Sequence, residues 1–262
     1  MASHSTEFST DACTLSDRRT LSYATGGDPD GRPVVVHHGT PGSRLFGALV
    51  AAPAAEVGVR VLVPDRPGYG RSSPPAAEWS WRDWAADLGE LLDAESVDRA
   101  GILGFSGGGP FALAAGGDDR VARVGLMSSV VPPTENSLAT LASVPFALRV
   151  VFRLSKAFAS VSVPDAVVSQ YTDRSVSDAV ADAVAADFHE ALDRGARAVE
   201  RENRTFASAS FGPDTPDLPL RAWHGTADEN APLSPVRSFV RETDGTLLDR
   251  RRAALEWADD TE

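Results

Sequence analysis

The sequence predicts an α/β protein built on a doubly wound, mostly parallel sheet, and three observations carry that prediction. Apolar runs of strand length recur at 33–38, 59–64, 100–105 and 121–130. They are nearly continuous rather than alternating, as expected of parallel strands covered on both faces. Helical patterns fill the intervals, and strand alternating with helix is the pattern of a doubly wound sheet.

In chain order, residues 7–25 read as two short strands around a polar turn at 15–18, and 26–31 is dense in turn formers. Ser80, with Asp83 three residues on, is a capping pair ahead of an apolar stripe of Trp81, Trp84, Leu88, Leu91 and Leu92. The alternation stops after Val130. From 132 to about 216 the pattern is helical, with Val180, Val184, Phe188 and Leu192 at every fourth position and a second amphipathic candidate at 137–160. A stretch of that length is too long for a loop and is expected to form a helical lid over the sheet edge, inserted after the sixth strand. Strand-like sequence returns at 218–225, and Ser234 followed by Pro235 is expected to cap and open a further helix. The expected layout is a core at 1–131, the lid at 132–217 and a second core part at 218–262.

Composition narrows the class of function. The 262 residues are 42% hydrophobic and 24% charged, an ordinary globular balance without an apolar run long enough for a membrane span. The N-terminus lacks the basic start and apolar core of a secretory leader, and Cys13 is the single cysteine, so no internal disulfide forms. A cytoplasmic protein is the expectation. Its 37 acidic against 25 basic residues give −12, a sign that repels phosphate backbones and anionic membranes, so neither is an expected partner. Lys156 is the only lysine beside 24 arginines, and Asp outnumbers Glu 24 to 13. Such a surface suits a halophile's high internal salt. A GC-rich genome produces the same bias without salt adaptation, and both readings stand open.

The stretch at 101–110 carries the chemistry. Gly104-Phe105-Ser106-Gly107-Gly108 fits G-x-S-x-G, preceded by an apolar strand and followed by a helical segment. On such a turn the serine hydroxyl stands exposed above the sheet, and the following helix offers positive potential to an oxyanion. Gly107, Gly109 and Ala112 also fit a loose dinucleotide fingerprint. That reading needs an acidic residue about 20 positions on, where this chain has Met127-Ser128-Ser129-Val130.

Together with two further motifs the sequence resembles the α/β-hydrolase fold family, in its lid-bearing serine branch, over about 7–240. His38-Gly39-Thr40-Pro41 resembles the family's H-G-x-P loop, and 65–72 (Asp-Arg-Pro-Gly-Tyr-Gly-Arg-Ser) its D-x-x-G-x-G-x-S segment. The resemblance implies Ser106 as nucleophile, the backbone N–H groups of Thr40 and Gly107 as oxyanion donors, and neither a metal nor an organic cofactor. It implies an acid and then a histidine after the nucleophile. Asp228, in the turn after the strand at 218–225, resembles the acid, with Glu229 as the fallback. A serine at the nucleophile position points away from the epoxide-hydrolase and dehalogenase branches.

No histidine follows Asp228; the five are His4, His37, His38, His189 and His224. The interval between the helix opened by Ser234 and a helical pattern at 247–258 leaves only 243–245, so the last strand of the family's sheet is expected to be absent. His37 and His224 are expected in the core and His38 in the oxyanion loop. His189, beside Phe188 on a lid helix, is the one outside candidate for a base. No catalytic histidine is assigned. Two functions follow: a serine hydrolase of small-molecule esters or related acyl compounds, its lid lining an apolar pocket, or a catalytically impaired scaffold that binds a small molecule. The oligomeric state is open. If the acidic surface is a salt adaptation, the protein melts at a higher temperature in molar KCl, where self-repulsion is screened, than in dilute buffer; equal melting temperatures leave genome composition as the cause.

Overall fold

Val34 and Val36 face one side of their strand and Val35 the other, yet all three are fully buried. Side chains alternate across a strand, so burial of consecutive residues requires cover on both faces of the sheet. The computed structural model describes residues 8–133, 140–141, 143–144, 146–161, 164–169, 175–208, 218–226, 228 and 230–248. Its strands are β1 (Ser9–Thr14), β2 (Thr20–Gly27), β3 (Arg32–His37), β4 (Val59–Pro64), β5 (Ala100–Phe105), β6 (Val121–Met127), β7 (Leu220–Trp223) and β8 (Thr246–Leu248). They form one sheet in the order β1-β2-β4-β3-β5-β6-β7-β8, in which β2 runs antiparallel to both its neighbours and every other pairing is parallel.

Helix α1 (Gly47–Glu56) lies over one face, its Ala54 packed with Val34, Val36, Val59, Val61 and Val63. The opposite face carries α2 (Trp81–Ala94), α3 (Gly109–Ala115) and α8 (Leu233–Glu242), whose apolar sides meet Val35, Leu62 and Ile102. Helix α2 starts where its capping pair dictates: the Asp83 carboxylate accepts from the Ser80 backbone N–H at 2.6 Å and hydroxyl at 2.7 Å. Trp84, Leu88, Leu91 and Leu92 of its stripe are fully buried; the Trp81 side chain lies outside the description.

Between β6 and β7 the chain forms α4 (Ala147–Val161), α5 (Pro164–Val168), α6 (Asp178–Ala191) and α7 (Arg197–Ser208). Their apolar sides make a third cluster, with Leu148, Phe152, Val167, Phe188, Leu192 and Val199 gathered on Tyr69 of the β4–α2 connection. Of the four-residue repeat read from sequence, Phe188 and Leu192 are buried while Val180 is exposed. Residues 137–139, 142 and 145 of the 137–160 candidate lie outside the described residues, and its long helix begins at Ala147.

Three expectations are corrected. The strand expected over 121–130 ends at Met127, because Ser128 takes a left-handed φ of 43° and donates its N–H to the Trp223 carbonyl at 2.8 Å. Ser234 does not cap its helix, which begins one residue earlier with Pro232 in the capping position. The last strand is present: β8 pairs in parallel with β7, Ala222 opposite Leu247. Three residues suffice to reach it, since Asp244 turns left-handed (φ 50°) and the Gly245 N–H closes onto the Val240 carbonyl at 2.8 Å. Leu247 and Leu248, read from sequence as the start of a helix, pack on opposite faces of the sheet; residues 249–258 of that helix lie outside the described residues.

One buried carboxylate fastens α6 to the core. Asp187 accepts from the Ser43 backbone N–H and from its hydroxyl, each at 2.7 Å. Burial nevertheless pushes its carboxyl up to about 7. A group with a raised acid pKa binds its proton more tightly when folded, so its contribution is greatest below the unfolded value of about 3.9 and is lost as pH rises to about 7. Asp187→Asn keeps an oxygen for both donors and removes the titration. Thermal melts are therefore expected to favour D187N over the wild type near pH 8 and to show that advantage shrinking towards pH 5.

Candidate active site

Ser106 occupies the turn between β5 and α3 with φ at 51°. A non-glycine residue held left-handed costs about 1–3 kcal/mol, and the surroundings hold it there. Its carbonyl accepts from the Val130 N–H at 2.9 Å. The flanking glycines admit no side chain: a Cβ on Gly104 would lie 2.7 Å from the Gly108 carbonyl oxygen, and one on Gly108 would run into the carbonyl oxygen of His37. Ser129, buried behind the turn, donates its hydroxyl to the Gly104 carbonyl at 2.6 Å.

The loop after β3 lies directly against this turn. A Cβ on Gly39 would stand 3.5 Å from Ser106 Cβ, and one on Gly107 would overlap Thr40 Oγ1 and come 3.3 Å from the Thr40 nitrogen. Thr40 and Gly107, both singled out from sequence, are thus neighbours. The loop is held from beneath by Arg66, which is fully buried and donates to the carbonyls of His38 and Gly39 and, at 2.8 Å, to Thr40 Oγ1. Glu202 of α7 answers that charge: Arg66 Nε and Nη2 reach its two carboxylate oxygens at 2.9 Å each.

Asp228 follows β7 in the turn foreseen for it. Its Oδ1 accepts from the N–H groups of Asn230 at 3.1 Å and Ala231 at 2.9 Å, and its Oδ2 stands 3.8 Å from His224 Nε2. Glu229 lies outside the described residues. Because β5, β6 and β7 are parallel and paired, Phe105 opposite Met127 and Met127 opposite Trp223, the turns bearing Ser106 and Asp228 leave the same edge of the sheet.

His37, His38 and His224 are engaged elsewhere. His37 is buried edge-on against Trp84 and Phe111, and burial, with Arg66 nearby, pushes its pKa down to about 3. His38 accepts the Arg66 backbone N–H on Nε2 and donates from Nδ1 to the Gly39 carbonyl, a pattern that assigns the neutral tautomer; burial, reinforced by Arg66, keeps it uncharged. The His224 Nε2 donates to the Ala231 carbonyl at 2.7 Å. His189 lies half-buried on α6 beside the Phe188 ring. His4 lies outside the described residues.

The 65–72 motif is structural. Asp65, fully buried, receives the Arg44 guanidinium at 2.8 Å and the backbone N–H groups of Arg44 and Arg71, while Gly68 and Gly70 take positive φ to wrap the loop around it. Sequence reasoning missed Arg66 and Glu202. The first sits inside a motif read as scaffold, and the second sits in a charged run on a helix that reads as a solvated face.

Among the described residues no three metal-ligating side chains converge, and no helix is long and apolar enough to cross a membrane. The profile of the alpha/beta hydrolase fold matches residues 32–166. Over 122 residues the chain is 37% identical to a non-heme chloroperoxidase of Streptomyces lividans, a match covering 45% of this chain and 44% of that protein. Over 113 residues it is 35% identical to a proline iminopeptidase of Xanthomonas citri, covering 41% and 35% respectively. The matches thus span less than half the length of these relatives. Among solved structures it is similar to the enol-lactonase of Burkholderia xenovorans LB400, with a TM-score of 0.65, 18% identity and 95% of each chain covered. On a family match that takes in half its length, and with the strand order to go with it, the chain belongs to the α/β-hydrolase fold family.

Proposed function

We propose that the protein is a hydrolase of small-molecule acyl compounds, esters above all, working through an acyl-enzyme on Ser106. The observation that carries this reading is the left-handed Ser106 at the entry to α3 with the Gly39–Thr40 loop packed against it. Ser106 Oγ attacks the acyl carbon while a base takes its proton. The carbonyl oxygen gains the negative charge, to which the N–H groups of Thr40 and Gly107 donate. Collapse expels the alkoxide, which takes the proton from the base, and water then releases the acid by the same route. Asp228, with Oδ2 uncommitted to any hydrogen bond among the described residues, is the acid that orients the base. The relatives include an iminopeptidase and an enol-lactonase, which keeps amides and lactones within the class. The apolar residues of 132–217 favour an apolar acyl or alcohol group.

Proton transfer is the slow point. Within these 262 residues no histidine follows Asp228, and His37, His38 and His224 are already engaged. That engagement favours a second reading, a scaffold that binds a small molecule without turning it over. Removing one member of a serine triad leaves roughly 10³–10⁴ of catalysis over water, from the oxyanion donors and binding alone. A fluorophosphonate probe is expected to label the wild type slowly and Ser106→Ala not at all. Added imidazole, serving as the base, is expected to speed both labelling and 4-nitrophenyl ester hydrolysis about tenfold or more in a Ser106-dependent manner. Absence of Ser106-dependent labelling, with and without imidazole, overturns the hydrolase in favour of the scaffold.

A further inference from the structure

Glu202 has an unusual set of partners for a carboxylate on a helix outside the sheet. It is 3% exposed. One oxygen, Oε1, accepts from Arg66 Nε at 2.9 Å. The other, Oε2, accepts from Arg66 Nη2 at 2.9 Å, from the Tyr69 hydroxyl at 2.8 Å and from the Thr40 hydroxyl at 2.9 Å. Both oxygens are therefore used, and Oε2 joins three elements: the loop after β3, the loop after β4 and helix α7. Thr40 in turn accepts from Arg66 Nη2 at 2.8 Å, so its hydroxyl is fixed from two sides and its rotamer is set by Glu202.

We propose that Glu202 is the positioning residue of the oxyanion loop, holding the Thr40 backbone N–H at Ser106 from the helical segment between β6 and β7. The proposal rests on the assignment of Thr40 as a donor. Thr40 cannot shift without consequence. Gly107 approaches it so closely that a Cβ there would overlap Thr40 Oγ1, so a displaced Thr40 either collides with the second donor or opens away from it. An acceptor of one negative charge also matches the fixed positive charge of Arg66. Without it the guanidinium, shielded from water, would draw the carbonyls of His38 and Gly39 towards itself and twist the peptide that carries the Thr40 N–H. Helix α7 thereby links the seating of the inserted segment to the reactivity of Ser106.

The test uses the full chain with Glu202→Gln, which keeps shape and one acceptor oxygen, with Thr40→Val, which removes only the hydroxyl link, and with the double variant. Two readouts are taken. The first is ester hydrolysis in the presence of imidazole, resolved into kcat and KM. Each single variant is expected to lower kcat about tenfold or more with KM within about twofold, and the double variant to be no worse than the poorer single one, because both break one link. Losses that multiply, or a fall in melting temperature with kcat unchanged, overturn the proposal. The second readout is hydrogen exchange of the Thr40 amide, which needs no turnover. Exchange there is expected to rise about tenfold or more in E202Q, with the β5 amides unchanged. An unchanged Thr40 amide overturns the positioning role even in an active enzyme. A loosened amide in a protein without Ser106-dependent chemistry upholds the link and sinks the hydrolase reading instead. If E202Q does not fold, Thr40→Val alone decides by the same two measurements.

Discussion

A guanidinium at the centre of the molecule with no exposure to water is the constraint around which the site is arranged. Burying an isolated charge costs several kcal/mol even after relaxation, so Arg66 must find its partners within the protein. It does so on Glu202, on the His38 and Gly39 carbonyls and on the Thr40 hydroxyl. Its flat faces are used as well, with the Phe111 ring centroid 4.7 Å away and that of Tyr69 at 5.2 Å. Because its partners come from β3's outgoing loop, β4's outgoing loop, α3 and α7, satisfying one side chain fixes these elements relative to one another. Hydrophobic contacts alone would tolerate sliding between these elements; a charge with directional donors does not.

The segment between β6 and β7 is attached by the same physics. Arg44 bridges Asp65 of the core and Glu190 of α6 at 2.8 and 2.6 Å, while Asp187 takes both donors of Ser43. Glu200, beside Glu202 on α7 and equally buried, pairs with Arg149 of α4 and Arg204 of its own helix. Several acidic residues that a composition count assigns to the surface are therefore inside, paired with arginine. Arginine rather than lysine suits these positions, since a planar fork can serve two carboxylates or two carbonyls at once.

How much of this was legible depends on whether the signal was local. The strands at 59–64 and 100–105 were readable to the residue because short apolar runs are bounded there by Gly58 and Asp65 and by Arg99 and Ser106. The Ser106 elbow was readable because close backbone approach demands glycine at 104 and 108, and glycine leaves a mark in sequence. β8 was not readable: three residues, Thr-Leu-Leu, carry no periodicity, and the Arg- and Ala-rich residues after them favour helix. Glu202 was not readable either. Its role depends on which loop the fold sets beneath α7, and in one dimension the charges of 197–204 look like any solvated helix face.

The presence of β8 also changes how the end of the sheet is built. With that strand absent, the chain would have no route from α8 back to the edge of the sheet where Ser106 and Asp228 stand. A strand parallel to β7 ends on that same edge, and the His224 N–H, just beyond β7, reaches the Leu248 carbonyl at 3.3 Å. Leu248 therefore stands beside the start of the turn that carries Asp228. Under the proposed function, Asp228 would orient a base placed there. Within these 262 residues no histidine follows Asp228, so the correction concerns the sheet and not the identity of a base. The difference matters physically under the proposed function: a lost strand would have to be rebuilt along with its pairing, whereas a missing proton acceptor would be met by a small base that diffuses in.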